Sequence, residues 1–328
     1  MNKNNDEILL ASLRANCWSD FFGQEKIKDS LLIAIKAAKQ RNEQLDHILF
    51  YGPAGLGKTT LCHLIATEMK VNLKITSGTA LTKVGDLAAI LTSLEEKDVL
   101  FIDEIHRLNK AVEETLYPAM EDFALDLVIG KGPSAKTLRL DLPKFTLVGA
   151  TTRFGNLTPP FRDRFGSIFR LQFYSPLELI NVLQRASQKL KIELDIKSAL
   201  EIAKRARGTP RIALKLLKRV RDFAQVKFNN KILPEKIKEI LDLLQIDSLG
   251  LSDHDRKFLE LLITKHQGGP VGLSTICATL NEDSLTIEEV LEPYLIQVGF
   301  LKKTPKGRVV NKKAYTHLNL EKFYQERN

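Results

Sequence analysis

The chain has few cysteines, no long apolar run, no internal repeat and no low-complexity tract, and each absence narrows what it can be. Its three cysteines, Cys17, Cys62 and Cys277, lie far apart, and no C-x-x-C spacing occurs. A disulfide framework and a cysteine-zinc site are therefore excluded, and a reducing compartment fits. No stretch of about 18 apolar residues appears, and the polar start MNKNNDE leads into no signal-peptide core. A cytoplasmic protein with no membrane span is expected. Acidic residues are scarce in two zones. Residues 203–221 hold eight Lys or Arg with no Asp or Glu, and residues 296–328 hold eight against Glu321 and Glu326.

What is present is an ordinary globular composition, 44% hydrophobic and 27% charged over 328 residues, enough for two or three domains. The net charge of +9, concentrated as it is, favours a polyanionic partner, above all nucleic acid.

Up to residue 175, short apolar runs alternate with helix-period segments. His47–Tyr51, Leu73–Thr76, Val99–Ile102, Phe145–Ala150 and Ile168–Phe173 read as strands. Such alternation indicates an α/β unit with a parallel sheet covered on both faces. Residues 125–142 interrupt it, with alternating segments around the turn cluster Gly130 to Ser134, and read as a projecting β-hairpin. From Ser175-Pro176 onward the spacing is helical, with a new helix starting at Thr209-Pro210. From about Leu249, three helical stretches precede GFLKKTPKGRVV, whose strand-like ends flank a turn; this is a winged-helix pattern. The boundaries read as 1–175, 176–248 and 249–328.

Residues 52–59, GPAGLGKT, match the G-x-x-x-x-G-K-[ST] phosphate loop between a strand and a helix. Gly52, Gly55 and Gly57 permit close backbone approach, and loop and helix N–H groups face the phosphates. Lys58 brings a full charge to the β and γ phosphates, and the Thr59 hydroxyl can ligate Mg²⁺. VLFIDE at 99–104 ends a buried strand with Asp103, a second Mg²⁺ ligand, and Glu104, which can activate the attacking water. ATP and Mg²⁺ are thus the expected substrate and cofactor. His106 has no partners at metal-ligand spacing and reads as packing. Thr151-Thr152 ends the strand 145–150, where a hydroxyl can position the water or sense the γ-phosphate. In FRDRFG, Arg164 is the candidate for a cation supplied to a neighbouring subunit's phosphate, and Arg211 can reach toward phosphate from its helix.

These stretches, with NLKITSG, FTLVGATTRFG, RARGTPRIALKLLKRVRDFA and GGPVGLSTICATLNEDSLTIEEVLEPYL, make the chain similar to the RuvB family of AAA+ ATPases from about Arg14 to Tyr315. The resemblance implies an AAA+ P-loop domain, a small helical lid and a C-terminal winged-helix domain. It implies a homohexameric ring on duplex DNA that drives branch migration of Holliday junctions in recombination and repair. RuvA would dock on the 125–142 hairpin, with a junction resolvase as a further partner. It implies nucleotide contacts from Leu13, Arg14, Thr60, Glu121, Asp122, Phe123 and Tyr174, Thr151 as the hydroxyl that senses the γ-phosphate, and DNA contacts from Lys303 and Arg308. The chain departs from the family at Ala54, where a second proline is usual, and in the stretch Phe154 to Phe161.

Three other readings are weaker. A non-catalytic scaffold with a vestigial phosphate loop is disfavoured by intact Lys58, Thr59, Asp103 and Glu104. A clamp-loader ATPase lacks support because its cysteine cluster is missing. A sequence-reading transcription factor is disfavoured because the presumed third helix of the winged unit carries Glu288, Glu289 and Glu292, which repel phosphates. That leaves Lys302, Lys303, Lys306 and Arg308 of the wing as the expected phosphate contacts, which position without reading sequence.

Overall fold

The computed structural model describes residues 9–129, 136–228, 232 and 234–325. The chain divides into two compact units, one made of residues up to 191 together with 209–215, the other of 192–208 and 216 onward. Among the described residues no helix is long and apolar enough to cross a membrane.

The strands of the first unit are β1 (Ile48–Tyr51), β2 (Leu73–Ser77), β3 (Val99–Asp103), β4 (Ala124–Ile129), β5 (Lys136–Asp141), β6 (Thr146–Thr151) and β7 (Ser167–Arg170). Five of them form a parallel sheet in the order β2-β3-β6-β1-β7. The three central strands are buried along nearly their whole length, which is why they read as unbroken apolar runs. Helices α1 (Glu25–Arg41), α2 (Lys58–Met69), α3 (Val84–Leu91), α4 (Lys110–Glu121) and α5 (Pro176–Leu190) accompany the sheet. Leu49, Leu100, Ile102, Leu116, Phe145, Leu147 and Phe161 join in one core cluster. Asn109 caps α4 by accepting from Val112 N–H at 3.0 Å, and Ser175 and Glu178 cap α5 reciprocally.

The last strand is shorter than the apolar run Ile168–Phe173. Leu171 N–H still donates to Tyr51 O at 2.9 Å. The next amide, that of Gln172, donates to the Gln24 side chain at 3.1 Å instead of a strand partner. The backbone therefore leaves the sheet before the apolar run ends. Strands β4 and β5 pair antiparallel from Ala124 opposite Asp141 to Ile129 opposite Lys136, so the expected hairpin is present; its turn, Gly130 to Ser134, lies outside the described residues.

His47, expected inside the first strand, stands just before it and ties the sheet to α4. Its Nε2 lies 2.9 Å from Met120 O, and Leu147 N–H donates to its Nδ1 at 2.9 Å. A carbonyl can only accept, so the proton sits on Nε2 and the ring is neutral. Burial holds its pKa below the ordinary value of 6.5, against the Met120 hydrogen bond and the Asp46 charge.

In the second unit, α6 (Ile196–Arg205) and α8 (Pro234–Leu243) pack together; α7 (Pro210–Lys227), which runs between them in sequence, belongs to the first unit up to Lys215 and to the second from Leu216. Beyond these come α9 (Asp253–His266), α10 (Leu273–Leu280), a composite third helix from Ser284 to Gln297 with a π-helical stretch at Ile287–Leu291, and the hairpin β8 (Leu301–Thr304) and β9 (Gly307–Val310). Phe258, Leu262, Ile276, Leu295, Val310 and Tyr315 share its core.

The His47 geometry sets a pH dependence. Its folded pKa is depressed, so the unfolded chain takes up the proton first, and stability falls as pH drops below about 6.5. Urea midpoints measured between about pH 8 and pH 5 should fall with acidification in the wild type, and His47→Gln should flatten that part of the curve while lowering the plateau by ~1–3 kcal/mol. An unchanged slope in the variant would assign the acid sensitivity elsewhere.

Candidate nucleotide site and nucleic-acid interface

Strand β1 ends at Tyr51, and the loop 52–57 connects it to α2, which begins at Lys58. Gly55 and Gly57 have φ of 81° and 103°, a region that L side chains disfavour. At Gly55 a Cβ would also meet Thr209 and Arg211 at 2.8 and 2.9 Å. The Lys58 ammonium is buried and donates to Gly52 O at 2.8 Å and Pro53 O at 2.9 Å. Burial pulls its pKa down, while Glu104 and Asp103 pull it back up. The loop is thus closed around its own cation, which incoming phosphates would draw off the two carbonyls.

A cavity of about 410 Å³ opens beside this loop, entirely within the first unit. It gathers Leu13, Arg14, Gly55, Gly57, Lys58, Thr59, Thr60, Asp103, Glu104, Tyr174 and Arg211. Gly52 does not line it; a Cβ there would press on Leu171 O at 2.8 Å. The far wall is an N-terminal segment held by α5. Arg185 donates to Asp20 O at 2.7 Å and Leu13 O at 2.5 Å, and Lys189 donates to Arg14 O at 2.9 Å. Tyr174 donates to Leu56 O at 3.2 Å, and burial pushes its phenol pKa up. Arg185 was not apparent in the sequence, because nothing in its helix-period surroundings marks an inward-facing arginine.

At the end of β3, the Asp103 carboxylate accepts from Glu104 N–H at 3.0 Å. Burial raises its pKa, and its Oδ2 takes no hydrogen bond among the described residues. One such carboxylate and the Thr59 hydroxyl are hard oxygen donors that suit Mg²⁺, which takes its other ligands from phosphate and water. Glu104 has a left-handed backbone, φ 46° and ψ 46°, strained for a residue with a side chain. Gly78 is packed so closely under it that a Cβ would lie 2.5 Å from Glu104 O.

Of the Thr151-Thr152 pair, the hydroxyl beside Glu104 belongs to Thr152. Thr152 Oγ1 donates to Glu104 Oε2 at 3.0 Å. Thr151 is fully buried; its Oγ1 accepts from Arg153 N–H at 2.9 Å and lies 2.8 Å from His106 Nδ1. Successive side chains of an extended chain face opposite ways, so only one of the pair can reach the strand-end carboxylate. His106, read as packing, has its Nδ1 3.2 Å from Glu104 Oε2 with a side chain 6% exposed.

Arg164, Glu121, Asp122 and Phe123 do not line this cavity. They form a separate cluster. The Arg164 guanidinium lies 4.1 Å over the Tyr117 ring, donates to Pro160 O at 2.6 Å and pairs with Glu121 at 3.2 Å. Asp122 accepts from Arg139 at 2.8 Å. Phe123, with φ of 52°, meets Phe145 edge to face at 6.0 Å. The nucleotide contacts expected of Glu121, Asp122 and Phe123 are therefore not made with the phosphate loop of the same chain, and Arg164, expected to act on a neighbouring subunit, stands apart from that loop too.

In the second unit the wing differs from the expectation in one respect. Arg308 is not presented to solvent. It is 7% exposed, donates to Glu292 at 2.5 Å and Glu288 at 3.0 Å, and Glu292 is itself 3% exposed. Lys303 is exposed but reaches Glu288 at 2.9 Å, and holds that carboxyl below its usual range. The acidic third helix thus neutralises the base of the wing, while Lys302 and Lys306 stay exposed. Leaving one buried charge unpaired is costly. Arg308→Met should destabilise the second unit by ~3–5 kcal/mol, and Arg308→Met with Glu292→Leu should recover much of that, as read from urea unfolding. Equal stability of Arg308→Met and wild type would refute the burial argument.

Three family models match the chain in succession. One described as the Holliday junction DNA helicase RuvB P-loop domain matches residues 13–171, the RuvB AAA lid domain matches 174–247, and the RuvB C-terminal winged helix domain matches 248–319. Among solved structures, the Thermotoga maritima RuvB Holliday junction branch migration motor is 50% identical, with a TM-score of 0.86 over 94% of this chain and 98% of that one. A lysine-to-arginine mutant of the Thermotoga maritima protein is also 50% identical, with a TM-score of 0.87 over 94% of this chain and 99% of that one.

Proposed function

From the premise that this chain belongs to the RuvB family of AAA+ P-loop ATPases, we propose that it is a Mg-ATP-driven motor that moves DNA through Holliday junctions with RuvA. The observation that carries this reading is one cavity that gathers Lys58, Thr59, Asp103, Glu104 and Arg211, while Arg164 stands in another cluster. A site that holds the phosphates but lacks its last cation is completed by a neighbouring copy, which calls for a ring, here taken as a hexamer. The three domains of this reading are 1–175, 176–248 and 249–328.

In the proposed cycle, loop and α2 N–H groups receive the phosphates, and Lys58 leaves its two carbonyls to pair with them. Thr59 and Asp103 would hold Mg²⁺, which when bound offsets phosphate charge. Leu13, Arg14 and Tyr174 surround the base and sugar. A water oxygen bonds to the γ-phosphorus as the bond to the β–γ bridging oxygen breaks, and Glu104 takes the water's proton. Thr152 orients that carboxylate. Arg211 reports the phosphate's presence through its helix. Arg164, with Glu121, Asp122 and Phe123 beside it, acts on the adjoining copy's nucleotide. Lys302, Lys303 and Lys306 contact phosphates, with Arg308 as the buried support of that wing. The 125–142 hairpin meets RuvA; a junction resolvase and a cytoplasmic setting complete the reading.

Synthetic four-way junctions should be dissociated in an ATP-dependent manner, more so with RuvA. Glu104→Gln should keep ATP binding but lose turnover by ~100-fold or more. Turnover near the wild-type rate would remove Glu104 from its role. Inactive Arg164→Ala and Lys58→Ala chains should regain activity when mixed, since each supplies what the other lacks; no recovery at any ratio counts against action between copies.

The wing makes a separate prediction. Lys302→Ala with Lys306→Ala should weaken DNA binding about equally on all sequences and reduce the slope of log K against log salt by up to ~2. Weakening confined to one sequence would point to base reading instead.

A further inference from the structure

We infer that Arg207 is a positioning residue for the motor, one that fastens the winged-helix domain to the helical lid before it so that the wing travels with the lid; this rests on the function proposed above. The residues concerned all lie in the second compact unit. Arg207 falls within the stretch matched by the lid model, whereas Gly250, Asp255 and Tyr294 fall within the winged-helix match. One side chain joins the two. Arg207 Nε donates to Gly250 O at 2.7 Å, one terminal nitrogen donates to Asp255 Oδ1 at 3.4 Å, and the other donates to Asp255 Oδ2. The guanidinium also lies 4.8 Å over the Tyr294 ring.

The backbone on both sides of this joint is constrained. Arg207 has φ of 54°, a left-handed conformation that persists in a residue with a side chain only where its surroundings hold it. Gly250 has φ of 81° and packs so closely against the end of α6 that a Cβ would lie 2.3 Å from Arg205 O. The linker between α8 and α9 is therefore no free tether. Asp247 Oδ1 accepts from Leu249 N–H at 2.9 Å and Leu251 N–H at 2.8 Å, and its Oδ2 lies 2.8 Å from His317 Nε2. The Tyr294 hydroxyl donates to Leu249 O. Asp255 is 1% exposed and also accepts from Ser252 N–H at 2.8 Å. A two-pronged guanidinium–carboxylate pair shielded from water fixes orientation as well as distance.

The joint stands between the parts that the motor must connect. In sequence Arg207 lies four residues before Arg211, which lines the nucleotide cavity. Tyr294 shares the third helix of the winged unit with Glu292, and Glu292 accepts from Arg308 at 2.5 Å at the base of the wing. Packed and hydrogen-bonded groups thus run from Arg207 to the wing without a flexible break. A rigid-body displacement of the lid reaches Lys302 and Lys306 through such a joint, whereas on a loose tether ATP would be spent without moving DNA. Arg207 is not among the residues that line the cavity, so its removal acts on the link between turnover and movement rather than on turnover itself.

The test counts ATP hydrolysed and synthetic four-way junctions dissociated in one reaction, with the full chain, RuvA and saturating junction DNA. Arg207→Met with Asp255→Asn removes the ion pair without leaving a buried charge unpaired, and the amide oxygen at 255 can still accept from Ser252 N–H. We expect junctions dissociated per ATP to fall ~3–30-fold, while ATP turnover, KM for ATP and junction affinity stay within about twofold of wild type. A ratio within about twofold of wild type overturns the inference. So does an equal loss in turnover or junction affinity, which marks general support of the fold. Should the double variant not fold, Tyr294→Phe decides. It keeps the ring under Arg207 and frees Leu249 O, and it should lower the same ratio at least ~2-fold; an unchanged ratio overturns the inference. A wild type that hydrolyses ATP yet dissociates no junctions brings down the functional reading itself, a result seen before any variant is compared.

Discussion

Three parallel strands lying side by side hold this site together. Strands β3, β6 and β1 are consecutive in the sheet and run the same way, so the segments that leave their ends emerge at one edge. Tyr51 stands opposite Thr151, and Gly52 N–H donates to Thr151 O at 3.2 Å. The phosphate loop, the Asp103-Glu104 pair and the Thr151-Thr152 pair thereby become neighbours, although they are separated by some tens of residues in sequence. Ligands of open α/β sheets bind at this edge for that reason. Shifting any one of these strands by a residue would move its functional side chains to the wrong face.

Charge is handled differently in the two units. In the first, charged groups stay partly buried around the cavity without full pairing. Lys58 rests on carbonyls, Asp103 keeps one oxygen free, and Glu104 accepts from neutral donors on Oε2. Their pKa values move as burial dictates, Lys58 down and Asp103 up. Such groups are poised to exchange internal partners for a highly charged ligand. In the second unit the buried charges are satisfied internally. Arg308 is enclosed by Glu288 and Glu292, and Asp255 pairs with Arg207 while capping α9. Those pairs stiffen a scaffold, and the wing's remaining exposed lysines are left to face solvent.

Several individual residues were misplaced by local reasoning for a common cause. Periodicity says that Thr151 and Thr152 end a strand but not which of them faces the Glu104 carboxylate, since that depends on how β6 sits against β3. Arg308 belongs to a basic run and looks exposed, yet two glutamates from a helix some twenty residues earlier draw it inward. Glu121, Asp122 and Phe123 were expected at a nucleotide, but none of them lines the cavity beside the phosphate loop of their own chain. His106 showed no metal spacing, and the structure places its Nδ1 2.8 Å from Thr151 Oγ1 and 3.2 Å from Glu104 Oε2, contacts between segments that no local pattern announces.

The sequence by itself determined the parallel α/β character of the first unit, the phosphate loop, the acidic strand end, the helical middle and the wing. Each of these is written in a local signal: an apolar run of strand length, a glycine spacing, a cap or a turn. Only the tertiary structure decided which hydroxyl meets Glu104, that Arg185 holds the N-terminal segment, and that Arg308 is buried. These facts depend on contacts between segments distant in the chain, where strand order, register and the pairing of buried charges are set by the whole packed unit rather than by any window of residues.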